Sequence, residues 1–244
     1  MKYFAGRNLK EILRDRLNLF FGLLFPLLIL TLLYFINRRI PASAGMELFQ
    51  LKNLTPGVAV FGLSFVSLFG GMLIARDRSE AFLTRLYSSP LRAADYIFGY
   101  ILPLLPLALG QIVCLFLLSY ILGLAWEPLK LLLCLLTLLP SALLFAGIGL
   151  LCGSLLTDRQ VGGVCGALLT NLTAWLSGTW FSLDLFGETG KKICYILPFA
   201  NAVDSSRAAL TGGSGAAKLW IVAAYAVGTL LLAVAAFSRQ MRRG

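Results

Sequence analysis

Six apolar runs set the terms for any fold this chain can adopt: Leu17 to Ile36, Thr55 to Ala75, Tyr96 to Leu122, Leu129 to Leu156, Val161 to Phe181 and Leu219 to Phe237. Each is near or above the roughly 20 residues that a helix needs to cross about 30 Å of hydrocarbon. With 59% hydrophobic and 13% charged residues in a chain of 244, a soluble domain could not cover so much apolar surface. The expected fold is an all-α polytopic membrane protein. It comprises an N-terminal amphipathic helix over residues 1–16 and a six-span transmembrane domain over residues 17–244. No small-residue cleavage site follows the first run, so that span is expected to remain in the protein.

Six spans place both termini on one side of the membrane. The short ends carry Lys2, Arg7, Lys10, Arg14, Arg16, Arg239, Arg242 and Arg243, which assigns that side to the cytoplasm. Thirteen basic residues then fall inside and eight outside. The net charge of +10 flanks spans, where anionic headgroups attract it, and carries no nucleic-acid reading. Four of the five cysteines lie in predicted spans and Cys194 stands alone outside, so neither a disulfide framework nor a CxxC metal site is visible.

One long charged segment interrupts the apolar chain, RDRSEAFLTRLYSSPLRAADYIFG from Arg76 to Gly99. Phe82, Leu83, Leu86 and Tyr87 recur at i, i+1, i+4 and i+5, one stripe of a short helix whose other face carries Arg78, Glu80 and Arg85. Pro90 stops it. Such a helix, held between two spans, can lie on headgroups or press into a groove on a soluble partner. Residues Met1 to Arg16 form a second basic amphipathic helix, serving either to set topology or to dock, and Pro26 is a candidate kink in the span that follows.

Span two opens at Pro56 and carries Phe61, Phe65 and Phe69 at four-residue spacing beside Ser64, Ser67 and Gly71, a pattern that reads first as helix packing and second as substrate contact. Pro103 and Pro106 should bend span three. Gly149 with Gly153 and Gly162 with Gly166 each match GxxxG, the mark of close helix approach. Span five is the most polar. Asn171, Trp175 and Gly178 share a face by helical spacing, and the Asn171 amide needs a partner, for which an interhelix hydrogen bond is the first reading. Between spans five and six, the pieces Leu183 to Phe186 and Ile193 to Ala202 are too short to cross and read as re-entrant or outer interfacial helices.

GETGKK at Gly187 to Lys192 lacks both the spacing and the hydroxyl of a phosphate loop and reads as a turn. The chain has no histidine, which removes Ser-His proteolysis, HExxH zinc chemistry and His-ligated haem. No ionisable residue sits in mid-span as an ion or proton carrier, so any transport must draw its energy from elsewhere.

The order of basic amphipathic helix, six spans, a charged helix after span two and a broken outer segment before span six resembles the permease subunit of ABC-2 type exporters. Arg85, Leu86, Ser89, Pro90, Leu91 and Gly99 are similar to that family's succession of charged residue, RL, SPL and Gly. YILPFANAVDSSRAAL is similar to its Pro-centred outer stretch, with Pro198 and Arg207. A departure is Ser79, Glu80, Ala81 where members often have Glu-Gly. The resemblance implies no catalytic residue, metal or cofactor in this chain, with ATP and Mg²⁺ bound by a separate cytoplasmic ATPase subunit. It implies that Arg76, Asp77, Arg78, Glu80, Phe82, Leu83, Arg85, Leu86 and Tyr87 form the ATPase-coupling helix. Two permease chains, identical or paralogous, should enclose a route between spans two and five in a bacterial inner membrane, with Phe61, Phe65, Phe69, Asn171 and Trp175 as candidate lining. The cargo so implied is a hydrophobic or amphipathic drug, lipid, lipopeptide or lipid-linked glycan. A rival from another class is a membrane scaffold or immunity subunit that sequesters a lipid or peptide without pumping it; a membrane enzyme lacks any general base beyond isolated carboxylates.

Overall fold

The computed structural model describes residues 2–40, 47–80 and 93–241. Helix α1 is Lys2–Arg14 and α2 is Arg16–Arg39. Asp15 caps the second, its carboxylate accepting from the Leu17 and Asn18 amides at 3.0 and 3.3 Å. Pro26 cannot donate to the ladder, and the turn ahead of it, Phe20–Leu24, widens into a π-helix. Long helices follow: α3, Leu51–Ser79; α4, Ala93–Ile121; and α5, Pro128–Leu155. The helical run 158–176 is α6. The outer pieces are α7, Gly187–Ile196, and α8, Pro198–Thr211, and α9 is Ala216–Met241. Among the described residues there is no strand. The protein is an all-α polytopic membrane protein.

Five of these helices, α2, α3, α4, α5 and α9, are long and apolar enough to cross a membrane. The expected fifth of six spans, Val161 to Phe181, is not among them. Its helix ends at Leu176, because Gly178 turns the chain out with φ +72°. Eight of its residues, Gly162–Leu169, are π-helical, and the Thr170 hydroxyl donates to the Cys165 carbonyl, five residues back, at 3.0 Å. Gly178 therefore shares no helix face with Asn171 and Trp175.

Helix α3 is the axis of the molecule. In its most apolar stretch 89% of residues are buried inside the chain, against 17% for α2 and 22% for α9. It begins at Leu51 rather than at Pro56, which sits inside the helix. Its contact with α5 is made by small residues. A Cβ on Gly149 would lie 2.7 Å from the Ser67 Cα, and one on Gly153 would lie 2.9 Å from the Gly71 Cα. Of the two GxxxG matches this is the one that brings two backbones together; a Cβ on Gly162 would meet nothing within 4 Å, and one on Gly166 would meet the Leu68 side chain of α3 at 3.3 Å. Thr55 and Ser119 hydroxyls at 2.6 Å tie α3 to α4, and Tyr96 packs against Phe237 at 5.5 Å to join α4 to α9.

The outer segment is built rather than loose. Asn201 donates its amide to the Tyr195 and Leu197 carbonyls at 2.8 and 2.9 Å, spanning the break that Pro198 makes between α7 and α8. GETGKK opens helix α7 instead of turning, with Gly187 at φ +67° absorbing the change of direction.

Candidate coupling site at the end of α3

The last turn of α3 delivers Arg76, Asp77 and Arg78 to the point where the chain enters residues 81–92. Phe82, Leu83, Arg85, Leu86, Tyr87 and Pro90 lie outside the described residues. Asp77 is 1% exposed. A carboxylate so buried requires partners, and it has three donors on two other helices. Arg7 of α1 grips it with both ends of its fork, Nη1 to Oδ2 at 2.9 Å and Nη2 to Oδ1 at 2.8 Å. The Tyr100 hydroxyl of α4 donates to Oδ2 at 2.6 Å. The bond to Asp77 holds the Arg7 guanidinium above its usual range, while burial pushes the Glu11 carboxyl up against the pull of Arg7, 3.0 Å away.

Around this clamp α1 is seated on α4. Asn8 donates its amide to the Gly99 carbonyl at 3.2 Å. The Phe4 ring stands edge-on to Tyr100 at 5.0 Å and fills the space a side chain at Gly99 would need. Position 99 must therefore be small if α1 is to lie here.

Arg78 reaches the other way. Its Nη1 donates to the Gly153 and Leu156 carbonyls at 2.7 and 3.1 Å, a cation on the unsatisfied C-terminal end of α5. Arg76 is exposed and, among the described residues, makes long pairs, 3.9 Å to Asp15 and 3.7 Å to Asp158 at the foot of α6. Glu80, at the helix end, is exposed. Of the four described residues in the expected coupling set, two are thus committed inside the chain and two face outward. The arrangement is mechanical: the segment after α3 is rooted in a helix end fastened to α1, α4 and α5. Asn8 and Tyr100 carry no mark in the sequence, Arg7 reads there only as one of the basic residues that set topology, and Asp77 reads as a contact to a partner rather than as an interior group.

The candidate lining residues do not converge within one chain. Phe65 stacks on Phe21 at 5.8 Å and stands edge-on to Phe25 at 5.7 Å; Phe61 stands edge-on to Trp180 at 5.3 Å; and Phe69 covers Gly22. The stripe is packed against α2 and Trp180. Asn171 and Trp175 are exposed on α6, the latter 57%, and the Asn171 amide donates to its own helix at the Ala167 carbonyl, 2.8 Å, rather than to another helix. Among the described residues no group of three or more His, Cys, Asp and Glu could hold a metal ion.

Residues 1–211 match the family model described as ABC-2 type transporter, which takes in everything from α1 to the end of α8. No curated protein matches the chain.

Proposed function

The chain belongs to the ABC-2 type transporter family as a membrane permease subunit of an ABC transporter, and from that premise we propose that it is the passive half of an ATP-driven exporter. A separate cytoplasmic ATPase subunit binds ATP and Mg²⁺. Arg76, Glu80 and the helix expected over Phe82 to Tyr87 meet that subunit. Two permease chains, in a bacterial inner membrane and with the shorter α6 as the sixth crossing that keeps both termini cytoplasmic, enclose the path of a hydrophobic or amphipathic substrate moving outward.

The observation that supports this reading best is the clamp at Asp77. A lever that transmits a push from a partner must be stiff at its root. Asp77, held by Arg7 and Tyr100, and Arg78, held by the end of α5, make the root of the expected coupling helix continuous with three other helices. α1 then moves with the coupling segment instead of floating on headgroups.

The test is a gentle-detergent purification of the tagged chain, with the recovered complex assayed for ATP hydrolysis beside Arg85→Glu and Leu86→Asp variants. An ATPase partner recovered with the parent chain, whose substrate-stimulated turnover is lost in both variants while membrane insertion is kept, is the expected result. A chain that purifies alone and stable, or turnover unchanged in the variants, overturns the assignment.

A further inference from the structure

At the far end of α3 from the clamp, a second arginine is half-buried. Arg207 of α8, its side chain 15% exposed, donates Nε to the Asn53 carbonyl and Nη2 to the Gly178 carbonyl, both at 2.9 Å. Its nearest carboxylate, Asp204, stands off at 3.8 Å. Asp204 is already engaged, its Oδ2 accepting from the Tyr195 hydroxyl and the Lys218 ammonium at 2.6 Å each. A guanidinium has five N–H donors. Two are placed here on carbonyl oxygens, and neither carbonyl carries a charge to balance the cation. Burial draws the guanidinium below its usual range, against the pull of Asp204.

The same arginine lines a cleft of about 510 Å³ with Glu47, Leu48, Asn53, Trp180, Phe181, Ser182 and Leu185. That volume falls in the range of pockets that hold small molecules, roughly 300 to 1,000 Å³. Its chemistry is graded. Arg207 and Trp180 are half-buried, while Phe181 and Leu185 stand 46% and 77% exposed. A recessed cation behind an aromatic and aliphatic rim matches a molecule with an anionic head and an apolar tail, because the fork of an arginine suits phosphate and carboxylate oxygens while indole and phenyl rings suit acyl chains.

We propose that this cleft binds the anionic headgroup of an amphiphile, with Arg207 on the headgroup and Trp180, Phe181 and Leu185 on the first part of the tail. Glu47 at the cleft works against it and limits the charge the head can carry. As a station for an exported molecule the site rests on the exporter reading, but its occupancy does not.

The test uses the full chain with Trp126, Trp175 and Trp220 changed to Phe, so that Trp180 reports alone. The protein is placed in phosphatidylcholine vesicles containing rising fractions of brominated phosphatidylglycerol or brominated phosphatidylcholine. Trp180 fluorescence should be quenched at a several-fold lower fraction of the anionic lipid. Arg207→Gln should bring the two curves together, and Glu47→Gln should widen their separation about twofold. Should Arg207→Gln fail to fold, the Glu47→Gln shift still decides, because an arginine that merely fastens three segments gives no such gain. Equal quenching by both lipids in the parent, or selectivity kept in Arg207→Gln, overturns the site. Reversal of quenching by millimolar glycerol 3-phosphate overturns the amphiphile in favour of a soluble phosphate. Neither ATP nor an ATPase is needed, so a negative result here leaves the exporter reading standing.

Discussion

Asp77 and Tyr195 are two polar groups whose surroundings fix what substitution should do. Asp77→Asn keeps the shape and an acceptor for Tyr100 but removes the charge that Arg7 grips with two bonds. Breaking a fully buried pair costs about 3 to 5 kcal/mol. Arg7 is 35% exposed and keeps Glu11, so the expected loss is smaller, about 1 to 3 kcal/mol. It should appear as a lowered thermal midpoint in detergent, together with faster tryptic cleavage at Lys10 as α1 comes away from α4. Unchanged cleavage would mean that Phe4 and Asn8 seat the helix alone. Tyr195 speaks to pH. Burial and the bond it donates to Asp204 raise its phenol, so the folded protein holds that proton more tightly than the unfolded chain, whose tyrosines ionise near pH 10. The stabilisation is complete below about pH 10 and is lost as pH rises toward the folded value. Tyr195→Phe should therefore be less stable than the parent at neutral pH, with the gap closing above about pH 10 when midpoints are measured across that range.

The crossing of α3 and α5 shows what a helix pair adds beyond its residues. Ser67 and Gly71 meet Gly149 and Gly153 backbone to backbone, so a larger side chain has nowhere to go. Gly149→Leu should force the helices apart, with a loss of about 3 kcal/mol or more seen as a collapsed thermal midpoint or absent monodisperse protein. Gly163→Leu, with nothing within 4 Å of the added atom, should leave the isolated chain within about 0.5 kcal/mol of the parent. Sequence alone offers two equal GxxxG matches, since the pattern states that a helix can be approached closely and not by what. The same limit governs the rest. Helices were legible because apolar runs of membrane length admit little else, but α3 extends past its run at both ends, because polar residues continue a helix into water. The shared face of Asn171, Trp175 and Gly178 assumed a helix that runs on past Leu176, where the turn at Gly178 ends it. The aromatic stripe of α3 was correctly periodic, while the identity of its neighbours, Phe21 and Phe25 about forty residues earlier, is set by tertiary packing. Asp77 and Arg7 are separated by 70 residues, and only the fold brings them together.

Across the whole molecule burial is graded, and the grading separates surfaces that lipid can cover from one that it covers poorly. Helices α2 and α9 leave leucine, phenylalanine and valine outward, including Leu28, Leu32, Val227 and Leu231, all more than half exposed. Hydrocarbon serves such faces at no cost. Helix α6 differs: its outward side carries Gly163, Ala167, Asn171 and Trp175, two small residues and an amide whose second N–H has no partner among the described residues. Small residues permit close approach, and an amide bonded only once still gains from a neighbour in the membrane. This is the face on which a second permease chain should sit. In a cysteine-free background, Ala167→Cys and Asn171→Cys in native membranes should each give a covalent dimer with a short bis-maleimide, and Leu231→Cys on α9 should not. The close approach at Ala167 should also make the dimer sensitive to bulk, so that Gly163→Leu, tolerated by the single chain, abolishes the cross-link from position 167. A dimer through position 231 instead would place lipid on α6 and the partner on α9. The expected route between spans two and five would then have no wall on the α6 side.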